Sequence, residues 1–186
     1  MGLLTLASAC TGVEHSAPNR AKANVAGEIV ELALPVTYCF DDRTSDRNAR
    51  GAFFLAVTCD AGPGKQNVAI TISVANDGLI GDLAALERFL TSDGVALLGK
   101  SGAPDKVTVL TSRQNGSALY LKIRDRGKQP IPDAPQTFWR AFFEAGDRMI
   151  GLSVTGIAGT RLSDAQATAI LSKIVAQTRA VNSGAG

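Results

Sequence analysis

Residues 68–75 alternate without a break. Val68, Ile70, Ile72 and Val74 are large and apolar, whereas Ala69, Thr71, Ser73 and Ala75 are small or polar. Successive side chains of an extended chain point to opposite faces, so this period of two predicts a strand with one buried face. Apolar runs in residues 28–40 (EIVELALPVTYCF) predict one or two short strands, and residues 52–60 (AFFLAVTCD) predict another. The charged stretch 41–51 (DDRTSDRNARG) between them reads as a loop, and 61–67 (AGPGKQN) as a turn. The period then lengthens. Leu83, Leu86, Phe89 and Leu90 recur at helical spacing behind Asp82, a residue type that caps helix N-termini. Asp93-Gly94 interrupts the segment, so a broken pair of helices is expected over residues 81–102.

Four strands are predicted next. Residues 106–112 and 118–125 flank Gln114-Asn115-Gly116-Ser117, whose Asn-Gly is a strong hairpin signal. Residues 137–144 and 148–157 flank Ala145-Gly146-Asp147, a second hairpin. Three prolines in 126–135 (RGKQPIPDAP) make that link an extended surface loop. Ser163 and Gln166 then form a capping box, and Ala167, Ile170, Leu171, Ile174 and Val175 make one apolar stripe. A helix from about 164 to 180 is expected to lay that stripe on a sheet. The order β-β-β-α-β-β-β-β-α, with hairpin connections, predicts an α+β fold: an antiparallel sheet of about six to seven strands packed by helices.

This order of elements resembles the PsbP/Mog1-like group of α+β sandwiches over residues 28–181. The texture of residues 138–157 and 162–180 is also similar to small alphaproteobacterial lipoproteins of unassigned function. Both resemblances imply a binding or assembly factor rather than a catalyst.

Composition narrows the class. The chain has 186 residues, 45% hydrophobic and 19% charged, which suits a single domain with a real core. A formal net charge of +2 is too small to argue for nucleic acid. No apolar run reaches the roughly 18–20 residues needed to span a bilayer. The cysteines are Cys10, Cys39 and Cys59. Cys10 ends LASAC, which resembles a bacterial lipobox, the site where a signal peptide is cut before a cysteine that becomes lipidated. Residues 1–9 then read as the remnant of a longer signal peptide, because no Lys or Arg precedes Arg20. Residues 10–27 read as the lipidated cysteine and a flexible tether, 28–181 as the domain, and 182–186 as a disordered tail. Thr11, rather than Asp, follows the cysteine, which implies delivery to the inner face of the outer membrane. An exported protein folds in an oxidising compartment, so Cys39 and Cys59, each at the end of a strand-like run, are expected to form a disulfide.

Candidate chemistry is sparse. His15 is the single histidine and falls in the expected tether, which removes a Ser-His-Asp triad and a Cys-His pair from the domain. It also disfavours zinc, which takes several His or Cys ligands. GPGK, residues 62–65, lacks the spacing of a phosphate loop and reads as a turn. Asp41, Asp42 and Asp46 are neutralised by Arg43, Arg47 and Arg50, too poor a set for calcium. Nothing in the sequence brings Asp133 and Glu144 together as an acid and base. Phe138, Trp139, Phe142 and Phe143 read as core. The one notable surface feature is Lys122, Arg124, Arg126 and Lys128, on every second residue opposite Leu119, Leu121 and Ile123. In a strand they make a basic stripe suited to an anionic partner. The expectation is therefore a lipid-anchored periplasmic binding or envelope-assembly module, not an enzyme, with neither metal nor cofactor. Its partners are the membrane, through the lipid, and an envelope protein or anionic envelope component. A periplasmic hydrolase or an accessory subunit of an envelope complex is the alternative.

Overall fold

The computed structural model describes residues 18–41, 46–48, 51–75, 81–129, 131 and 133–183. In chain order the strands are β1 (Arg20–Val25), β2 (Glu28–Ala33), β3 (Tyr38–Phe40), β4 (Asp46–Asn48), β5 (Gly51–Thr58) and β6 (Val68–Ala75). Helix α1 (Leu83–Thr91) and two short 3-10 turns, Val95–Leu98 and Pro104–Lys106, follow. Then come β7 (Val107–Asn115), β8 (Ala118–Asp125), β9 (Thr137–Ala145), β10 (Arg148–Gly156) and helix α2 (Asp164–Asn182). The main sheet runs β3-β5-β6-β10-β9-β8-β7 with every neighbour antiparallel, and β4 pairs with β5 off this path. The fold is α+β with a seven-strand antiparallel path, as the alternation of strands and helices predicts.

Three boundaries differ from the sequence reading. Residues 20–25, assigned to the tether, form β1 and pair with β2 as a separate two-stranded sheet. The inward positions of β1 are Ala21, Ala23 and Val25, all buried, but alanine is too small to give a strong alternating signal. The charged stretch 41–51 contains β4, which a three-residue polar run does not announce. Helix α2 runs to Asn182, one residue into the expected tail, because Asn182 caps no solvent end: its Nδ2 donates to the Glu31 carbonyl at 2.7 Å, and its Oδ1 accepts from Glu31 N at 3.1 Å.

The sheet is buried on both sides along β8, β9 and β10. Helix α2 and the β1–β2 hairpin cover one face, where Val30, Leu32, Phe54, Ile72, Phe143, Leu152, Leu171 and Ile174 form the larger core. Helix α1 and the first 3-10 turn cover the other face over β7–β9, burying Leu90, Leu98, Leu119, Leu121, Ile123, Phe138 and Phe142. Strand β9 therefore carries aromatics toward both layers: Phe138 and Phe142 toward α1, and Trp139 and Phe143 toward α2. The helix caps are those the sequence specifies. Asp82 accepts from Ala84 N, and Ser163 and Gln166 close a reciprocal capping box. Cys39, in β3, and Cys59, just beyond β5, are joined by a disulfide with Cα atoms 4.9 Å apart.

Candidate functional site

In β8 the parity of the residues decides the site. Leu119, Leu121 and Ile123 point to the α1 layer, whereas Tyr120, Lys122 and Arg124 point to the α2 side. The Lys122 ammonium lies 2.6 Å from Asp164 Oδ2, at the first residue of α2. Asp164 Oδ1 accepts the indole N–H of Trp139 at 3.0 Å. The bonds from Lys122 and Trp139 hold the Asp164 carboxyl below its ordinary value. The Arg113 guanidinium, from β7, lies over the same indole at 5.1 Å and over Tyr120 at 5.6 Å. Arg124 is exposed and pairs in register with Thr137 of β9. Arg126 and Lys128 are exposed but lie past the end of β8, so the strand itself holds only two of the four predicted cations.

Lys122 and Trp139 open on a cleft of about 610 Å³ at the end of the sheet. Its walls come from the start of β9, the end of β10, the N-terminus of α2 and the connections on either side. Besides Lys122, Trp139 and Asp164 it is lined by Thr155, Arg161 and Asp133. The loop after β10 folds back tightly here. A Cβ on Gly156 would sit 2.2 Å from the Thr160 carbonyl oxygen, so this position admits only glycine. Thr160 Oγ1 in turn accepts from Asn67 N at 2.9 Å and ties the loop to the start of β6.

Behind the cleft, on the α1 side of the sheet, lies a polar cluster that the sequence reading did not identify. Asp125 is fully buried. Its Oδ2 accepts from Lys100 N at 2.8 Å and Ser101 N at 2.9 Å, and its Oδ1 accepts from Ser101 Oγ at 2.6 Å and Gly127 N at 2.9 Å. Burial pushes this carboxyl up, but the bonds from Ser101, Gly127 and Lys100 outweigh it and the net direction is down. The Lys100 ammonium donates to Thr155 Oγ1 at 2.6 Å and sits 4.1 Å from the Phe138 ring centroid. Arg140 donates from Nη1 to the Leu97 carbonyl at 3.1 Å. Burial draws its guanidinium down to about 10. Asp125 was legible in one respect: it follows Leu119, Leu121 and Ile123 at the same parity, so the pattern aims it inward.

Cys10 and His15, and Asp42 of the acidic loop, lie outside the described residues. Cys39 and Cys59 are brought together, whereas Asp133 lies at the cleft and Glu144 at the far end of β9. Among the described residues no group of three or more His, Cys, Asp or Glu side chains is arranged to hold a metal, and no helix is long and apolar enough to cross a membrane. Comparison with family models, with curated proteins and with solved structures finds no match.

Proposed function

We propose that this protein is a lipid-anchored binding module of the bacterial envelope, in which a PsbP/Mog1-like domain takes an anionic envelope component at the cleft and performs no reaction. The observation that carries this reading is the charge arrangement around Trp139. Lys122 and Arg161 line the cleft, with Arg113 and Arg124 at its margin. Against these four cations stand Asp133 and Asp164, and Asp164 is already engaged by Lys122 and Trp139. A concave site with surplus fixed cations concentrates anions and steers their approach. The Cys39–Cys59 disulfide supports an oxidising compartment such as the periplasm. The lipobox-like LASAC with Thr11 supports anchoring at the inner face of the outer membrane.

The test uses the full chain with two probes: phosphatidylglycerol vesicles and purified cell-wall sacculi. Binding to one of them should fall with rising salt. Arg124→Ser combined with Arg161→Ser should weaken it about tenfold, about 1.4 kcal/mol. Folding stability should move by only about 0.5 kcal/mol, since both side chains are exposed. Failure of the wild-type chain to bind either probe, or equal binding by the variant at every ionic strength, overturns the reading.

A further inference from the structure

We propose that β7 is a docking strand for a partner protein, which adds an extended segment of alternating apolar and acidic residues to this edge of the main sheet. The strand path β3-β5-β6-β10-β9-β8-β7 has two ends, and the fold treats them differently. β3 is three residues long, and its Phe40 N–H donates to the Pro18 carbonyl at 2.8 Å. β7 is nine residues long and pairs on one side only, with β8. Proline and lysine are common means of blunting an exposed edge, and β7 (VTVLTSRQN) contains neither.

The phase of β7 decides which of its backbone groups are open. Arg126 N–H donates to the Lys106 carbonyl at 3.1 Å, and Asn115 pairs with Ala118 across a two-residue turn. Antiparallel pairs alternate between hydrogen-bonded and non-hydrogen-bonded. The register shifts between Val109 and Thr111, so Leu110 is the extra residue of a bulge. Counted from either end, the alternation turns the N–H and C=O of Val109, Ser112 and Gln114 away from β8. Among the described residues nothing hydrogen-bonds to these groups. A row of alternating backbone donors and acceptors is matched by another extended backbone, so the occupant is a peptide segment.

The two flanks of the edge select its side chains. On the α1 side a groove of about 430 Å³ runs along β7, with Thr91, Val95, Val107 and Val109 in its walls. Apolar side chains of an added strand fit there. On the α2 side Arg113 and Arg124 are exposed. The nearby carboxylates are already engaged: Asp164 by Lys122 and Trp139, and Glu87, on the α1 side, by Ser112 and Gln114. Opposite charges on neighbouring strands attract and like charges repel, so the α2-side positions of the added strand are acidic. A second copy of β7, paired antiparallel about a two-fold axis, would bring the same cations together on one face. Charge therefore selects a different protein over self-association.

This inference goes beyond the binding reading. Its readout is protection of β7 amides by a peptide, which an anion seated in the cleft would not give, so either can fail alone. The full chain is mixed with a capped heptapeptide of alternating valine and glutamate, or with the same peptide carrying lysine for glutamate. Amide hydrogen exchange is followed residue by residue by NMR. In the free chain Val109, Ser112 and Gln114 should exchange about tenfold faster than Thr111 and Arg113, whose N–H groups face β8. The glutamate peptide should slow those three amides about tenfold, and the lysine peptide should leave them unchanged. Arg113→Ser should raise the Kd of the glutamate peptide about fivefold. Ser112→Pro, which removes an outward N–H that an edge strand can spare, should abolish its binding. Unchanged exchange on adding the glutamate peptide, or equal slowing by the lysine peptide, overturns the proposal. Slow exchange of the three amides in the free chain also overturns it. If that slowing depends on protein concentration, a second copy holds the edge; if it does not, the chain's own residues do. Because the wild-type chain supplies the decisive rates, a variant that misfolds leaves the test intact.

Discussion

Asp125 shows how one buried carboxylate organises the loops around it. Its four donors come from the segments just before β7 and just after β8, so a single side chain fixes the spacing between two otherwise irregular stretches. Glycine is required beside it: a Cβ on Gly127 would lie 2.1 Å from Ser101 Oγ, and one on Gly99 would lie 2.6 Å from a Val107 methyl. Asp125→Asn turns one acceptor oxygen into an NH₂ facing two donors. Hydrogen bonds to charged groups are worth about 1.5–3 kcal/mol each and an unmet buried donor costs about 1–3 kcal/mol, so a loss of about 3 kcal/mol is expected in urea unfolding. The pH dependence has a definite sign. The folded-state carboxyl titrates below its unfolded value of about 3.9, so the unfolded chain binds more protons in that range. The stabilisation is complete above about pH 4 and fades as pH falls through the folded value. Acid titration of stability should therefore show a steeper loss for the wild type than for Asp125→Asn. Equal acid limbs would show that Asp125 contributes no ionised hydrogen bonds.

Among the elements, what the sequence made legible was what a period reveals. β6, β8, β9, β10 and both helices have strong alternation or stripes, and the capping residues Asp82, Ser163 and Gln166 stand where the structure uses them. Strand β1 escaped because Ala21 and Ala23 bury well but carry little hydrophobic signal, and β4 because its three residues are polar. The basic stripe was visible as a spacing, yet only tertiary structure could pair Lys122 with Asp164, 42 residues away. The cleft and the Lys100 cluster were invisible for the same reason: Lys100, Asp125, Phe138 and Thr155 come from four separate segments. The disulfide lies between these cases, since matching strand ends suggested it and register realised it. Cys39 stands opposite Val57 in the β3–β5 pair, which leaves Cys59 one residue beyond the strand end. With the cysteines 20 positions apart, the chain-entropy model assigns the bridge roughly 3 kcal/mol. Replacing both by Ser should lower the urea midpoint accordingly, and reducing agent should shift the wild type but not the variant. A reductant-insensitive wild type would remove the bridge from the account of stability.

Across the whole molecule, the sheet register places the start of the domain and the cleft at one level. Pro18 O accepts from Phe40 N at 2.8 Å. Reading across the strands, Phe40 pairs with Ala56, Ala56 with Ile70, Ile70 with Val154, Val154 with Trp139 and Trp139 with Lys122. The chain thus joins the fold on the same cross-strand row that ends at the Trp139 indole and the Lys122 ammonium. The seven residues from Thr11 to Ala17 can span at most about 25 Å, at about 3.5 Å each. A lipid on Cys10 would therefore keep this row, and the cations around the cleft, within reach of components at the membrane surface. Surface potential falls off within a Debye length of about 8 Å at physiological salt, so a short tether matters to an electrostatic binding site. One acyl chain anchors weakly and several hold firmly, so a lipidated Cys10 should partition fully with membranes. Expression of the full-length gene with labelled palmitate should put label on the wild type, and Cys10→Ala should lose the label and move to the soluble fraction. Lengthening the tether by twenty Gly/Ser residues after Thr11 should keep the label while weakening salt-sensitive binding to the envelope. If no label appears, or if Cys10→Ala fractionates like the wild type, the domain reaches its partner by diffusion and the anchor has no part in its function.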